Sequence, residues 1–480
     1  MSETKRARPE DLLEGLSNGD DLKKRKMADG EHHINNGDDK GLTSDEIMAV
    51  RRKHIGKSCK VHFAKSPPKI THGRGQYLFD DKGNKFIDCM NNVTHVGHCN
   101  PRVIKAAHDQ MCILNTNSRF LYDNIIHYTK RLISKFPPHL SVCYFVCSGS
   151  EANDLALRLA RTHTMRHDTI VLDRAYHGHT SALIDVSPYK FNAVGGEGKK
   201  SFIHVCPCPD PYRGKYKGYG KETGELYANE VKTLINNAEN DGRKIAAFIC
   251  ESMQGCGGQI IYPEGFMKNA FKYVREAGGV CIADEVQVGF GRTGKHFWAF
   301  ESQDVIPDIV TLGKPIGNGH PLAVVITTPE ISESFAATGM SYFNTFGGNP
   351  VSCAVGNAVL DSLEEDNLLQ NAIEVGEAFL EKLKALQQKH ELIGDVRGMG
   401  LMIGVELVKD RDTLEPATAE AMHMVYRAKD EFVFVSADGP HENVLKIKPP
   451  MCFSHEDADY VTKAFDKILT EMHDAEIGPK

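Results

Sequence analysis

The chain has 480 residues, enough for two or three domains with substantial cores, and a formal net charge of −7. That mild acidity excludes a general nucleic-acid or membrane-surface binder, so an acidic ligand would have to be met by local positive charge. No apolar run approaches the roughly 18 residues needed to cross a bilayer, and thirteen cysteines scattered through apolar segments fit free thiols in a reducing compartment.

In chain order, residues 1–42 are rich in charge, Gly and Asn and nearly lack aromatics, which predicts a disordered tail. Acids throughout this tail do not fit a mitochondrial presequence, and it has no apolar stretch for secretion. Lys23-Lys24-Arg25-Lys26 and the pair His32 and His33 read as solvated charge and polar groups. The run TSDEIMAVRRKHI predicts a helix capped by Thr43 or Ser44. QYLFDDKGNKFIDC predicts a hairpin turning at Lys82-Gly83-Asn84. From there helical stretches alternate with short β-branched runs: SVCYFVCS, DTIVLD, KIAAFICES, GGVCIADEV, DIVTLGK and LAVVITT. That order implies an α/β fold with a mainly parallel sheet between helices. After Pro350 a long helical stretch leads to GDVRGMGLMIGVELV and VLKIKPPMCFS, a smaller α+β unit. The expected organisation is a tail (1–42), the first part of a small domain (43–100), a large domain (101–350) and the rest of the small domain (351–480).

Ligands of parallel sheets gather at the carboxyl ends of the strands, which places Ser148, Glu251, Asp284 and Lys314 near one rim. CSGSEANDLALRLAR predicts a helix starting near Ser150, where free amides form an anion site and Gly149 permits close backbone approach. Tyr176, on the loop after DTIVLD, suits either stacking on a flat heterocycle or core packing. His177 and His179, like His95 and His98, lack a carboxylate at ligand spacing, so no metal site is expected. The glycines of GFGRTG (289–294) match a dinucleotide-binding pattern, but Asp284 and Glu285 interrupt the junction and no packing helix follows. An acid and a lysine at neighbouring strand ends, Asp284 and Lys314, are what pyridoxal phosphate needs. The amine bonds to its aldehyde, and the carboxylate keeps its ring nitrogen protonated. Taken alone, the pair also fits a surface lysine and a strand-end aspartate.

The flanking segments narrow this choice. DEVQVGFGRTG and PDIVTLGKPIGNG, together with GHCNP, SGSEAN, YHGH, FNTFGGNP and RGMGLMIG, resemble the class III (ornithine/GABA type) aminotransferases over roughly residues 45–475. These are pyridoxal 5′-phosphate enzymes of fold type I, with a large domain and a smaller α+β domain. NTNSRFLYDN, PYRGKY and SADGPHENVLKIKPPMCFS are similar to the alanine–glyoxylate aminotransferase 2-like subgroup, which includes phospho-lyases. Within it, LKIKPPMCF and ESMQGCGGQI look nearer the ethanolamine-phosphate phospho-lyases.

The resemblance implies a role for each matching residue. Lys314 would hold the cofactor and shuttle protons, Asp284 would pair with the ring nitrogen, and Gln287 would reach the phenolic oxygen. Tyr176 would stack on the ring, and the amides of Gly149 and Ser150 would hold the phosphate. Thr345 would reach the phosphate of a neighbouring subunit's cofactor. Arg397 matches a carboxylate-binding arginine, and Glu251 the acid that neutralises it when the substrate has no carboxylate. Asn100 replaces a histidine common in the family, with no catalytic role expected. The implied reaction eliminates phosphate from a phosphorylated amine, foremost phosphoethanolamine to acetaldehyde, ammonia and phosphate. A 5-phosphohydroxylysine lyase or an alanine–glyoxylate or ω-amine aminotransferase is the alternative. Arg119, Lys190 and Arg213 are the cations considered for the substrate phosphate. A homodimer or homotetramer is expected. For location the resemblance points to mitochondria and the N-terminal composition to the cytosol.

Overall fold

The computed structural model describes residues 41–475, in two units that divide after Pro68. The expected tail, with its basic cluster and His32 and His33, lies outside the described residues except for Gly41 and Leu42. In the first unit a helix spans Ser44–His54. Thr43 caps it: its Oγ1 accepts from the Glu46 amide at 3.2 Å while the Glu46 carboxylate accepts from the Thr43 amide at 2.7 Å.

The second unit opens with the predicted hairpin. Strands β1 (Ile70–Arg74), β2 (Tyr77–Asp80) and β3 (Lys85–Asp88) pair antiparallel. The turn holds because the Asp80 carboxylate accepts from the amides of Lys82 and Asn84, with Gly83 at φ +81°. Asn100 then caps the helix Pro101–Ile113 by accepting from the amides of Arg102 and Val103, which gives that residue a structural task.

Seven strands form the central sheet: β4 (Val142–Val146), β5 (Asp168–Leu172), β6 (Ile203–Cys206), β7 (Ile245–Glu251), β8 (Val280–Asp284), β9 (Ile309–Leu312) and β10 (Ala323–Thr327). Their spatial order is β4-β10-β9-β8-β7-β5-β6. From β9 to β6 all pairings are parallel, and β10 alone runs antiparallel to both of its neighbours. Strand β6 was not foreseen from its short IHVC run. Both faces are covered, which is why β7 and β8 are buried at every position. Ala247 and Ile249 pack with Ala152, Leu155 and Leu159 of the helix Gly149–Thr164. Phe248, pointing the other way, meets Phe271 of the helix Phe266–Glu276 edge to face at 5.9 Å.

The C-terminal part adds β11 (Ile393–Met399), β12 (Met402–Asp410), β13 (Glu415–Pro416), β14 (Val433–Phe434), β15 (Ser436–Asp438) and β16 (Val444–Ile447). An antiparallel sheet runs β11-β12-β16-β15, with β13 against β12. Strand β14 leaves that sheet to pair parallel with β3, Val433 opposite Ile87. We propose on this pairing that residues 69–100 share the smaller domain with 351–480. No helix among the described residues is long and apolar enough to cross a membrane.

Candidate active site

The carboxyl ends of β7, β8 and β9 lie side by side, so Glu251 stands opposite Asp284, and Asp284 opposite Thr311. Lys314 follows β9 after one glycine. A cavity of about 400 Å³ opens on this rim, lined by Gly149, Ser150, Tyr176, Asp284, Gln287 and Lys314 among others. The packing that forms it is close. A Cβ on Gly149 would lie 2.6 Å from Cγ1 of Val286, and one on Gly313 would lie 3.3 Å from the Gly149 backbone. Lys314 itself sits at φ +30°, a left-handed conformation that costs energy for a residue with a Cβ and that active sites characteristically retain.

The helix at the cavity begins one residue earlier than expected, at Gly149, with Ser148 as its cap. The Ser148 hydroxyl accepts from the Glu151 amide, and the Glu151 carboxylate accepts from the amides of Ser148 and Cys147. The amides of Gly149 and Ser150 precede the first intrahelical bond, so they keep their donor capacity at the positive end of the helix dipole. That end suits a phosphate.

Asp284 is 4 % exposed and tightly held. One oxygen, Oδ2, accepts from His177 Nδ1 at 2.8 Å and from Asn153 Nδ2 at 2.8 Å. The other, Oδ1, takes only the Val286 amide among the described residues, at 3.1 Å, and so retains a lone pair for a further donor. Because a carboxylate only accepts, His177 carries its proton on Nδ1, and its buried Nε2 has no partner among the described residues. Asn153 is fixed in turn by the Thr311 hydroxyl, which donates to its Oδ1 at 2.6 Å. Burial lowers the pKa of Lys314 below that of an ordinary lysine, which enlarges the neutral, nucleophilic fraction at neutral pH. Burial likewise pushes Glu251 up to about 7, although its oxygens accept from the amides of Tyr176 and Gly255.

One expectation is overturned. Arg397 does not pair with Glu251. It is 3 % exposed, and its guanidinium is occupied by Asp395 at 2.7 Å, Glu406 at 2.7 Å and the Gly258 carbonyl. Two carboxylates and a carbonyl leave this fork no free edge for a substrate carboxylate. The signal available in the sequence was Glu406, a lone acid within the apolar run GLMIGVELV.

Arg213 shares that same Glu406 and donates also to the Leu414 carbonyl. Arg119 lies over the exposed Phe343 ring, 3.9 Å from its centroid. Lys190 has no carboxylate partner among the described residues. Its ammonium sits 5.6 Å from the ring centroid of Tyr176, which lines the cavity, and 5.0 Å from that of Tyr189. Thr345 is exposed and does not line the cavity. His177, which was weighed only as a metal ligand, instead supports Asp284. Lys446, in β16, and Lys448, just after it, are two cations in the apolar segment VLKIKPP that the sequence reading did not single out, although the interruption is visible there.

A phosphate-seeking helix start, a carboxylate with one spare lone pair, a desolvated lysine and a tyrosine on one 400 Å³ cavity fit pyridoxal 5′-phosphate. Comparisons agree with this. Residues 61–469 match the family described as aminotransferase class-III. A Drosophila melanogaster protein called alanine–glyoxylate aminotransferase 2-like is 53% identical over 435 residues, covering 90% of this chain and 88% of its own length. A Caenorhabditis elegans protein called ethanolamine-phosphate phospho-lyase homolog 1 is 41% identical over 443 residues, covering 90% and 94%. Among solved structures, a phospholyase from Arthrobacter in complex with phosphoethanolamine superposes with a TM-score of 0.83 at 34% identity, over 88% of this chain and 99% of that one.

Proposed function

The chain belongs to the class-III aminotransferase family, whose cofactor is pyridoxal 5′-phosphate, and from that premise we propose a phospho-lyase acting on phosphoethanolamine. The observation that carries this reading is the closed state of Arg397, held by Asp395 and Glu406. An enzyme of α-amino acids needs a free cation for the carboxylate. Phosphoethanolamine has none. The likeness to an Arthrobacter phospholyase and to a Caenorhabditis phospho-lyase homolog supports the same choice.

The bound cofactor supplies an aldehyde that captures a primary amine and a protonated ring that accepts the electron pair left when the adjacent carbon is deprotonated. Lys314 would provide the amine that holds the cofactor, and its amine would take the proton from that carbon. Asp284, fixed by His177 and Asn153, keeps the proton on the ring nitrogen. Gly149 and Ser150 amides would bind the cofactor phosphate, Tyr176 would cover the ring, and Gln287 would meet its phenolic oxygen. For the departing phosphate we take Lys190, on the support of its 5.6 Å distance from the Tyr176 ring centroid. Water then completes the conversion of phosphoethanolamine to acetaldehyde, ammonia and inorganic phosphate.

Loops 117–122 and 343–348 meet where Arg119 covers Phe343, and they expose Phe120, Leu121 and Phe346 beside Thr345. This apolar surface supports a homodimer in which Thr345 serves the partner's site.

The test is to incubate the purified holoenzyme with phosphoethanolamine and no keto acid, and to assay phosphate. Catalytic release supports the lyase. Amino transfer to pyruvate or glyoxylate without phosphate release would overturn it and favour the aminotransferase reading, and 5-phosphohydroxylysine assayed alongside separates the two lyases. In the same assay Lys190→Ala raises KM by about tenfold, the loss of one charge-assisted contact.

A further inference from the structure

Lys446 and Lys448 flank Ile447 at the end of β16, and their surroundings differ. Lys446 is neutralised by Asp438. Lys448 is 6 % exposed and has no carboxylate partner among the described residues. Its Nζ donates to Oε1 of Gln287 at 3.2 Å. Burial, with Lys446, Lys314 and Arg292 as neighbouring positive charges and the Cys256 thiol also nearby, holds its pKa well below that of an ordinary lysine. An amine placed there costs stability unless something compensates it.

Gln287 points to what does. It lines the cavity, and a side-chain amide can present either its oxygen or its nitrogen. The lysine Nζ meets the amide as a donor, so it claims Oε1. Nε2 is thereby turned to the other side, where it lies 3.8 Å from Cys256 Sγ and beside Gly255. With Oε1 taken by Lys448 and Nε2 engaged, among the described residues, only by a long 3.8 Å contact to sulfur, the end of the amide left to meet a ligand is its donor.

We infer that Lys448 is a positioning residue for the cofactor: it orients Gln287 to donate to the phenolic oxygen, and places a positive charge behind that bond. The inference rests on the reading that Gln287 faces that oxygen. Ammonium, amide and oxygen form a chain in which each hydrogen bond polarises the next. The oxygen brings a negative charge that no carboxylate among the described residues supplies to Lys448. Without the chain, the anionic oxygen is less stable and the adjacent lysine–cofactor linkage holds its proton more tightly.

The experiment is a pH titration of the holoenzyme's absorption with no substrate present, so its outcome does not depend on whether the enzyme is a lyase. K448M is expected to raise the midpoint at which the visible band gives way to the near-ultraviolet band by about one unit, a tenfold gain in proton affinity. K448R, which keeps the donor and the charge, stays near the wild-type midpoint. Q287L shifts the midpoint as K448M does, and the double variant shifts it no further. An unchanged midpoint in K448M overturns the inference, as does a full K448M shift persisting in the Q287L background. If K448M does not fold, K448Q is titrated under the same two criteria.

Discussion

At the scale of single residues, the decisive question is which charges are already spoken for. Arg397 and Arg213 both read from the sequence as cations available to a substrate, because a sequence displays a charge but not its partner. Glu406 answers both, since its two oxygens are divided between them in a site where it is 1 % exposed. Breaking a buried pair leaves an uncompensated charge, so E406Q should lower unfolding stability by about 3 kcal/mol in denaturant titrations. A change within a few tenths of a kcal/mol would place the pair on the solvent side of that logic. That Asp284 and Lys314 share one rim was legible in advance, since both follow strand-like runs of a parallel sheet. The setting of Lys448 was not, because a lysine at a strand end reads as solvent-facing until its neighbours are known.

At the scale of elements, the cavity depends on how closely a helix start can approach two strand ends. Helix and strands follow from periodicity, whereas the cap, Ser148 with Glu151 in an S-x-x-E pattern, came from the structure. The expected start at Ser150 was one residue late because Gly149, poor within a helix, reads as loop when its packing is unknown. In the fold its missing side chain admits Val286. G149A would place a Cβ 2.6 Å from Cγ1 of Val286. Overpacking of that kind costs about 1–3 kcal/mol, so the cofactor dissociation constant should rise by about tenfold in an absorbance titration. Unchanged affinity would remove this helix start from the phosphate site.

At the scale of the whole molecule, the proposed partner surface brings together loops more than 200 residues apart. Leu121 is fully exposed and Phe346 is 69 % exposed. In a twofold interface each such side chain is buried twice, so L121D should weaken association by at least about 100-fold, read by sedimentation. Activity should fall with the dimer, because Thr345 is then not delivered to the partner; a fully active monomeric variant would contradict the shared site. The sequence by itself determined the α/β architecture, the family whose cofactor is pyridoxal 5′-phosphate, and the helix that begins beside the strand ends. These depend on local periodicity and on residue identity, which a linear chain carries in full. Only the tertiary structure decided that Arg397 is closed by Glu406, that His177 and Asn153 hold Asp284, and that Lys448 stands behind Gln287. Those are pairings between segments brought together by sheet order, and a buried charge is defined by the partner that compensates it rather than by its position in the chain.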